Sequence, residues 1–212
     1  MQITGPNRVF RGLGRPSCLA GMTMAAPRWS HVVGFDDAPF PRQHRGDVLV
    51  VGAVFAGARL DGVLSCKVRR DGANATPRLV ECVRASRFYS QLHAVLLQGI
   101  ALAGFNVVDV HRMREELARP IIVVSRRKPD LGAIRDALTK HVPGGARKWR
   151  SIERAEAMEW MEGVYVQRAG IAQDATARLL RMHRLHGRMP EPLRTAHLIA
   201  GGVTLGESSG RP

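Results

Sequence analysis

The order of valine-rich segments is the feature that most limits how this chain can fold. Three such segments follow one another: HVVGFD (31–36), DVLVVGAVFA (47–56) and DGVLSCKV (61–68). Each is rich in β-branched residues and is bounded by Gly or Asp-Gly, a pattern typical of strands. These residues therefore predict three consecutive strands joined by hairpins or short loops.

Helices alternate with short buried strands in the rest of the chain. Thr76, followed by proline, predicts the start of a first helix. Asn106 predicts the cap of a helix whose apolar residues recur at spacings of three and four as far as Leu117. Two short apolar runs, 92–97 and 121–124, predict buried strands. The remaining elements are helices from Asp130, over about 147–160, over 174–185 and from Pro190, and a strand over 164–167.

This order predicts an α/β fold, a mixed β-sheet flanked by helices. A chain of 212 residues can bury a large core, so we expect residues 29–212 to form a single domain. Residues 1–28 contain arginines before a short apolar stretch that glycines interrupt, and we interpret them as a flexible leader. Translation from Met22 or Met24 is an equal alternative.

The three cysteines and the short apolar runs exclude several classes of protein. Cys18, Cys66 and Cys82 are odd in number and show no C-x-x-C spacing, which argues against a disulfide framework or a zinc site. The apolar runs are too short to span a bilayer. We therefore expect a cytoplasmic protein with no membrane partner.

The strong positive charge points to polyanionic partners. The formal net charge is +14, and 28 of the 32 basic residues are arginine. Basic surfaces bind nucleic acid because neutralising phosphates releases condensed counterions. An Arg-rich composition without a binding role explains the charge nearly as well, so nucleic acid is the favoured partner by a small margin.

Several blocks of sequence resemble an uncharacterised family that is distantly related to endonuclease V. The resemblance runs from about His31 to Arg211, and its most specific blocks are GFNVVD (104–109) and PEPLRTAHLI (190–199). It implies a ribonuclease H-like sheet in which the first and fourth strands are neighbours and end at the active site. It also implies carboxylates that hold Mg²⁺ for phosphodiester hydrolysis.

The stretch VGFDDAPF supplies the first candidate site residues. Asp36 matches the first-strand carboxylate of endonuclease V, which makes it the best candidate for a Mg²⁺ ligand and a catalytic residue. Asp37 is a second catalytic candidate, although on a strand it points to the opposite face unless the chain turns. A solvated acidic turn before Pro39 explains the pair equally well.

The other positions implied by the resemblance are less complete. The acid that ends the fourth strand in endonuclease V is matched by Gln98, which brings no negative charge to a cation. After the third strand the resemblance implies an acid, but this chain has Asn74 there. The nearby Asp71 is a catalytic candidate, although aspartate is also a common turn residue. The expected histidine is missing from its stretch, and His197 reaches the site only if the tertiary fold brings it there.

Two basic clusters are candidates for nucleic-acid binding. Arg126, Arg127 and Lys128 follow a predicted buried strand, where ligand crevices of α/β sheets open. Another group combines three basic residues with an aromatic ring, which suits phosphate contact and base stacking. Its members are Arg147, Lys148, Trp149 and Arg150. Solvated surface charge is the alternative for both clusters.

The sequence is compatible with two functions. The first is an endonuclease V-related protein that binds nucleic acid and hydrolyses phosphodiesters with Mg²⁺ at Asp36. The second is a catalytically inactive nucleic-acid-binding or protein-interaction module of the same fold, which the missing acid at Gln98 favours.

Overall fold

A mixed sheet of seven strands forms the centre of the protein. The structure is a computed structural model and describes residues 29–155 and 157–208. The sheet has the order β3-β2-β1-β4-β7-β9-β8, and β5 and β6 form a separate small hairpin. The strands are β1 (His31–Asp37), β2 (Asp47–Ala56), β3 (Arg59–Arg69), β4 (Ala94–Gln98), β5 (Ala101–Leu102), β6 (Asn106–Val107), β7 (Ile121–Ser125), β8 (Glu159–Met161) and β9 (Val164–Ala169).

In the described residues, six α-helices accompany the strands, together with a short 3₁₀ helix at Tyr89–Gln91. They are α1 (Ala75–Arg84), α2 (Val110–Leu117), α3 (Leu131–His141), α4 (Gly145–Arg154), α5 (Gln173–His183) and α6 (Glu191–Leu205). Within the described ranges, no helix has the length and apolar character needed to cross a membrane. The predicted division into residues 1–28 and 29–212 stays a prediction, because the leader lies outside the described residues.

The first three strands pair as the sequence predicts. β1 pairs antiparallel with β2, and β2 pairs antiparallel with β3. β1 then pairs in parallel with β4, and β4 with β7, so that the first and fourth strands are neighbours. The predicted ribonuclease H-like mixed sheet is therefore confirmed, and the carboxyl ends of β1, β4 and β7 lie at one edge.

Two layers of helices cover the sheet because its central strands alternate apolar side chains between both faces. Val33 and Phe35 of β1 pack with the apolar residues of α1 and α2 on one face. Val32 of β1 packs with those of α5 and α6 on the other. Gly34 allows α6 to approach closely, since a Cβ atom there would lie 2.7 Å from the backbone nitrogen of Leu193.

Two local predictions are wrong at the level of single elements. Asn106 begins no helix: it lies in β6, and its Oδ1 accepts a hydrogen bond from the amide of Ala75 at the start of α1. Asp109 is the N-cap of α2, and its side chain accepts from the amide of Arg112. The Asn106 side chain thus binds the first amide of a helix that begins 31 residues earlier in the chain, and not of the helix that follows it.

The predicted helix over 147–160 is also wrong in its second half. α4 ends at Arg154, and Glu159–Met161 pairs with β9 as a hairpin strand. Glu162 and Gly163 both have positive φ values, 51° and 83°. This is the backbone twist that a two-residue hairpin turn requires, and it separates β8 from β9.

Candidate functional site

Asp36 lies at the carboxyl end of β1, on the face covered by α6. It is only 4% exposed, and its Oδ2 lies 2.8 Å from Nδ1 of His197 on α6. Its Oδ1 accepts a hydrogen bond of 3.0 Å from the amide of Asp37. A buried carboxylate needs such partners, because burial without them disfavours its charge.

The environments of Asp36 and His197 shift both pKa values upward. Burial raises the pKa of Asp36, and the hydrogen bond and charge of His197 partly offset that rise. The hydrogen bond to Asp36 raises the pKa of His197, while partial burial and the charge of Arg126 lower it. Both groups therefore have shifted pKa values at the end of β1, and shifts of this kind are common at functional sites.

Asp37 points to the opposite face of the sheet, as the strand geometry predicts. Its Oδ2 accepts a 3.0 Å hydrogen bond from the amide of Ala103, in the turn between β5 and β6. Burial, together with the neighbouring charge of Asp36, raises the pKa of Asp37 to about 6, although the hydrogen bond from Ala103 acts in the opposite direction. Asp37 is thus joined to Asp36 through the backbone and by electrostatics, but it faces a different set of partners.

Asp71 meets the same turn from the β3–α1 loop. Its Oδ1 accepts a 2.9 Å hydrogen bond from the amide of Phe105, and its own amide donates to the carbonyl of Ala103 at 3.0 Å. Its Oδ2 lies 3.1 Å from Nε of Arg70. Asp37 and Asp71 therefore fix the two sides of the β5–β6 turn. Within the described residues, neither of these two carboxylates is hydrogen-bonded to the Asp36 carboxylate, which Asp37 contacts only through its backbone amide.

Gln98 stands at the carboxyl end of β4, next to Asp36 in the sheet. The parallel register pairs Phe35 with Leu97, so Asp36 and Gln98 are the next residues along the two strands. Oε1 of Gln98 is buried and accepts no hydrogen bond from the described residues. A buried oxygen in this state costs free energy unless a water, an ion or a ligand group satisfies it.

An open cleft of about 380 Å³ runs from Gln98 to the loop after β7. We call it the β4–β7 cleft; its lining residues are Gln98, Gly99, Val124, Ser125, Arg126, Arg127 and Met189. Arg126 and Arg127 are exposed. The structure thus brings two residues of the first basic cluster to the strand ends that carry Asp36 and Gln98. Lys128 is exposed in the loop before α3 and does not line this cleft.

The second basic cluster lies on α4 and divides between two sides of that helix. Arg147, Lys148 and Arg150 line a separate cavity between α4 and the first turns of α1 and α2. Trp149 points elsewhere: its Nε1 donates to Glu153 at 2.6 Å, and the Arg135 guanidinium lies 5.7 Å from its ring centre. The tryptophan therefore packs in the α3–α4 contact and not beside the three basic side chains.

A mostly apolar pocket of about 270 Å³ adjoins the β4–β7 cleft, and Gly99 and Ser125 line both. We call it the apolar pocket. Its polar lining consists of Ser125 and Gln167, and its other lining residues are Gly99, Ile100, Ala101, Gly104, Phe105, Val107, Pro129, Leu131, Ile134, Ile152 and Met158. Most of these belong to the β4–β6 region and to α3, so the pocket depends on the turn that Asp37 and Asp71 hold.

Among the described residues, no group of three or more His, Cys, Asp or Glu side chains is arranged to enclose a metal ion. On the face of the sheet covered by α6, the ends of β1 and β4 present the Asp36 carboxylate and Oε1 of Gln98. His197 is the functional candidate that local sequence patterns miss. It is separated from Asp36 by 161 residues, and only the close approach of α6 to Gly34 joins the two.

The fold and the site define an α/β protein of the endonuclease V-like class, with a buried carboxylate at the end of the first strand of a ribonuclease H-like sheet. The chain belongs to the family described as Endonuclease dU, whose sequence model matches residues 28–204. A UPF0215 protein of Deinococcus radiodurans is 57% identical over 187 residues, which are 88% of this chain and 95% of that protein. A UPF0215 protein of Methanothermobacter thermautotrophicus is 46% identical over 183 residues, covering 84% and 90%.

Solved structures support the same class. A protein of unknown function from Archaeoglobus fulgidus aligns with a TM-score of 0.76 and 33% identity, over 82% of this chain and 97% of that one. Human endonuclease V aligns with a TM-score of 0.52 and 14% identity, over 81% and 83%. An endonuclease V of Ciona intestinalis, in complex with DNA containing an inosine, gives 0.50 and 12%, over 79% and 82%. At these identities the likeness to endonuclease V is one of fold.

Proposed function

We propose that this protein is a divalent-metal-dependent endonuclease that cuts nucleic acid at or near deoxyuridine. The observation that carries the proposal is the unsatisfied, buried Oε1 of Gln98 beside the buried carboxylate of Asp36, at the adjoining ends of β1 and β4. The description of its family as Endonuclease dU and the endonuclease V-like fold support the same reaction class.

The two strand-end oxygens fit Mg²⁺. This ion prefers oxygen ligands, keeps several waters, and is usually held by one or two carboxylates together with substrate phosphates. Asp36 supplies the carboxylate and Gln98 the amide oxygen, and a cage made wholly of protein is not needed. When bound, Mg²⁺ activates water and stabilises the charge that develops on the phosphodiester.

His197 and the arginines of the β4–β7 cleft complete the site. The His197 hydrogen bond orients the Asp36 carboxylate and partly counters the effect of burial on its pKa, which favours the charged form that a cation binds. Arg126 and Arg127 offer guanidinium groups to phosphate oxygens, which such groups bind as a fork. Their place in the cleft supports a nucleic-acid strand that crosses the ends of β4 and β7.

The apolar pocket suits a nucleobase taken out of the stack. Enzymes that act at a particular base bind it between apolar side chains and recognise its polar edge with a few hydrogen-bonding groups. The pocket of about 270 Å³ is slightly smaller than the range of about 300–1,000 Å³ for small-ligand sites, which suits a single base. Gln167 and Ser125 are its polar side chains and are candidates for reading the base edge.

Cleavage of defined oligonucleotides tests the proposal. The purified protein is incubated with matched DNA strands that contain deoxyuridine, deoxyinosine or no modified base, and with the corresponding RNA. Each is tested with Mg²⁺, with Mn²⁺ and with EDTA. We expect cutting of the deoxyuridine strand that requires the metal. Asp36→Asn is expected to lower its rate by more than about 100-fold, since loss of even an outer partner of a metal ligand costs 10–100-fold.

Asp61→Asn is the matched control, because Asp61 is an acid of β3 that pairs with the exposed Arg59 away from the site. It is expected to cut at the wild-type rate. Cleavage that persists in EDTA or in Asp36→Asn contradicts the proposed site. Salt-dependent binding without cutting in either metal supports the inactive binding module instead.

A further inference from the structure

The cavity between α4 and the starts of α1 and α2 is strongly basic. We call it the α4 cleft; its volume is about 390 Å³. Five of its lining side chains are basic and one is acidic. The basic ones are Arg112, Arg147, Lys148, Arg150 and Arg154, and the acid is Asp109. The proposed chemistry at Asp36 uses none of these six side chains.

The single acid neutralises only one side of the cleft. Oδ2 of Asp109 binds the Arg154 guanidinium, and Oδ1 caps α2. Arg112 pairs with Glu116 on the next turn of α2 at 2.6 Å. Within the described ranges, Arg147, Lys148 and Arg150 make no ion pair with any carboxylate. The cavity therefore has more positive than negative side chains, because Asp109 is engaged by Arg154 and the other three basic residues form no ion pair of their own among the described residues.

Lys148 distinguishes the cleft from an ordinary charged surface, because its ammonium is buried and held in place by a hydrogen bond. Its side chain is buried, with 5% of the residue exposed, and its Nζ donates a 2.6 Å hydrogen bond to the backbone carbonyl of Asp71. Burial and the nearby Arg147 lower the pKa of Lys148, while the charge of Asp71 raises it. A buried ammonium beside two arginines is stabilised when an anion enters the cavity.

The α4 cleft is connected to the proposed reaction site through rigid contacts. Lys148 holds the backbone of Asp71, the Asp71 carboxylate holds the amide of Phe105, and Asp37 holds the amide of Ala103 on the other side of the same turn. These contacts fix the position of the α4 cleft relative to the end of β1, where the nucleic-acid strand is proposed to bind.

We propose that the α4 cleft binds backbone phosphates of the nucleic-acid strand at a distance from the phosphodiester that is cut. This proposal rests on the nucleic-acid binding of the proposed function, and it adds a site that supplies affinity without sequence or base preference. Phosphate is the fitting ligand because the cavity combines guanidinium forks, an ammonium and the hydroxyl of Ser151, all of which bind phosphate oxygens.

The double variant Arg147→Ala/Arg150→Ala tests the site, because both side chains are exposed and their loss spares the buried Lys148. Binding to DNA with and without deoxyuridine is measured by fluorescence anisotropy over a series of salt concentrations. We expect affinity to fall at least about tenfold, since hydrogen bonds to charged groups contribute strongly. The slope of log affinity against log salt should decrease by about 1 to 2, because each phosphate contact contributes about 0.9.

Two features separate this outcome from a general loss of charge. The control Arg59→Ala/Arg178→Ala removes two exposed arginines of β3 and α5 and should leave the slope near that of the wild type. The cleft variant should lose the same factor on both DNAs and keep its cutting rate at saturating substrate within about twofold, because the lost contacts act equally on substrate and transition state.

The possible results also separate this proposal from the proposed function. Equal slopes for the cleft and control variants overturn the α4 cleft site even when the wild type cuts DNA. A reduced slope in a protein that never cuts supports the cleft and rejects the nuclease. A wild-type protein that binds no nucleic acid overturns both. Circular dichroism of each variant checks that the fold is kept.

Discussion

Nδ1 of His197 lies 2.8 Å from Oδ2 of Asp36, and this contact joins the last helix of the fold to the end of its first strand. The carboxylate is almost fully buried, so the imidazole is its main compensating group. The pKa of Asp36 is nevertheless raised. The ionisation of Asp36 therefore depends on His197, and any reaction that needs the charged carboxylate does so as well.

Replacing His197 should shift the pH dependence of the reaction. His197→Ala removes both the hydrogen bond and the charge that lower the pKa of Asp36, so that pKa rises further. Hydrogen bonds to charged groups contribute about 1.5–3 kcal/mol, and one pH unit corresponds to 1.36 kcal/mol. The acidic limb of the kcat/KM profile should therefore move up by about 1–2 pH units.

His197→Gln is the matched variant, because its amide can still donate to Asp36 without carrying charge. Its acidic limb should lie between those of the wild type and His197→Ala. Carbon-13 NMR of labelled aspartate reports the same pKa order without relying on cleavage. An unchanged Asp36 titration in His197→Ala contradicts the proposed coupling.

Asp37→Asn should stabilise the metal-free protein at neutral and alkaline pH. The pKa of Asp37 is about 6 in the folded state against an ordinary value of 3.8, so between these values the folded state holds a proton that the unfolded state has lost. Stability therefore falls as pH rises through this window and stays lower above it. The asparagine carries no such penalty, and its Oδ1 still accepts from Ala103.

The expected gain is about 2–3 kcal/mol above pH 7, from about two pH units at 1.36 kcal/mol each, and it should vanish near pH 4. Urea unfolding in EDTA at both pH values measures it. Asp37→Ala, which also loses the acceptor for Ala103, should gain about 1 kcal/mol less. A gain of equal size at pH 4 and pH 8 contradicts titration of Asp37 as its cause.

Local sequence patterns predict the parts of the fold that depend on neighbouring residues. The valine-rich runs place β1, β2 and β3 within a few residues of their observed bounds, because strand propensity and hairpin turns act over short distances. The prediction of Asp36 as a site residue depends only on where β1 ends, which the local pattern gives correctly. The helix predicted to continue beyond Arg154 is wrong because residues 159–161 pair with β9 across the Glu162-Gly163 turn, and a segment paired in a sheet cannot continue a helix.

Contacts between distant residues account for what the sequence could not predict. Asparagine is a common helix N-cap residue, but the side chain of Asn106 forms three hydrogen bonds to the β3–α1 region, with Arg69, Asn74 and Ala75. No periodicity indicates that His197 meets Asp36. The separation of Trp149 from the basic residues beside it likewise depends on how α3 packs against α4.

Gly34→Ala should destabilise the fold and weaken the site together. A Cβ atom at this position would lie 2.7 Å from backbone atoms of Pro192 and Leu193, so α6 must move away from β1. Overpacking of this kind costs about 1–3 kcal/mol. Because α6 carries His197, the proposed cleavage activity should fall as well. Urea unfolding and the cleavage assay measure the two effects.

Gly202→Ala is the control within the same helix. A Cβ atom there meets only Oγ of Ser208, at 3.4 Å, and alanine favours the helix by about 0.5–1 kcal/mol relative to glycine. This variant should be as stable as the wild type or more so, with unchanged activity. Equal stability of Gly34→Ala and the wild type contradicts the close approach of α6 to β1.

Gln98→Glu should convert an incomplete metal site into a stronger one. Glutamate has nearly the same shape as glutamine and places a second negative charge beside Asp36, where the wild type offers a neutral oxygen. The attraction between opposite charges at contact distance is several kcal/mol even when strongly screened, so affinity for Mg²⁺ should rise at least about tenfold. Isothermal titration calorimetry with Mg²⁺, and Mn²⁺ binding followed by electron paramagnetic resonance, measure it.

Gln98→Met provides the opposite comparison, because it keeps the length of the side chain and removes its oxygen. Its affinity for the metal should fall below that of the wild type, which gives the order Glu, Gln, Met at one position. In EDTA the order of stability should reverse, since the glutamate adds a like charge next to two buried acids and the methionine leaves no unsatisfied oxygen. Identical metal affinity in all three proteins would show that Gln98 does not contact the ion, and the carboxylate of Asp36 would then need a partner from outside the β4 strand end.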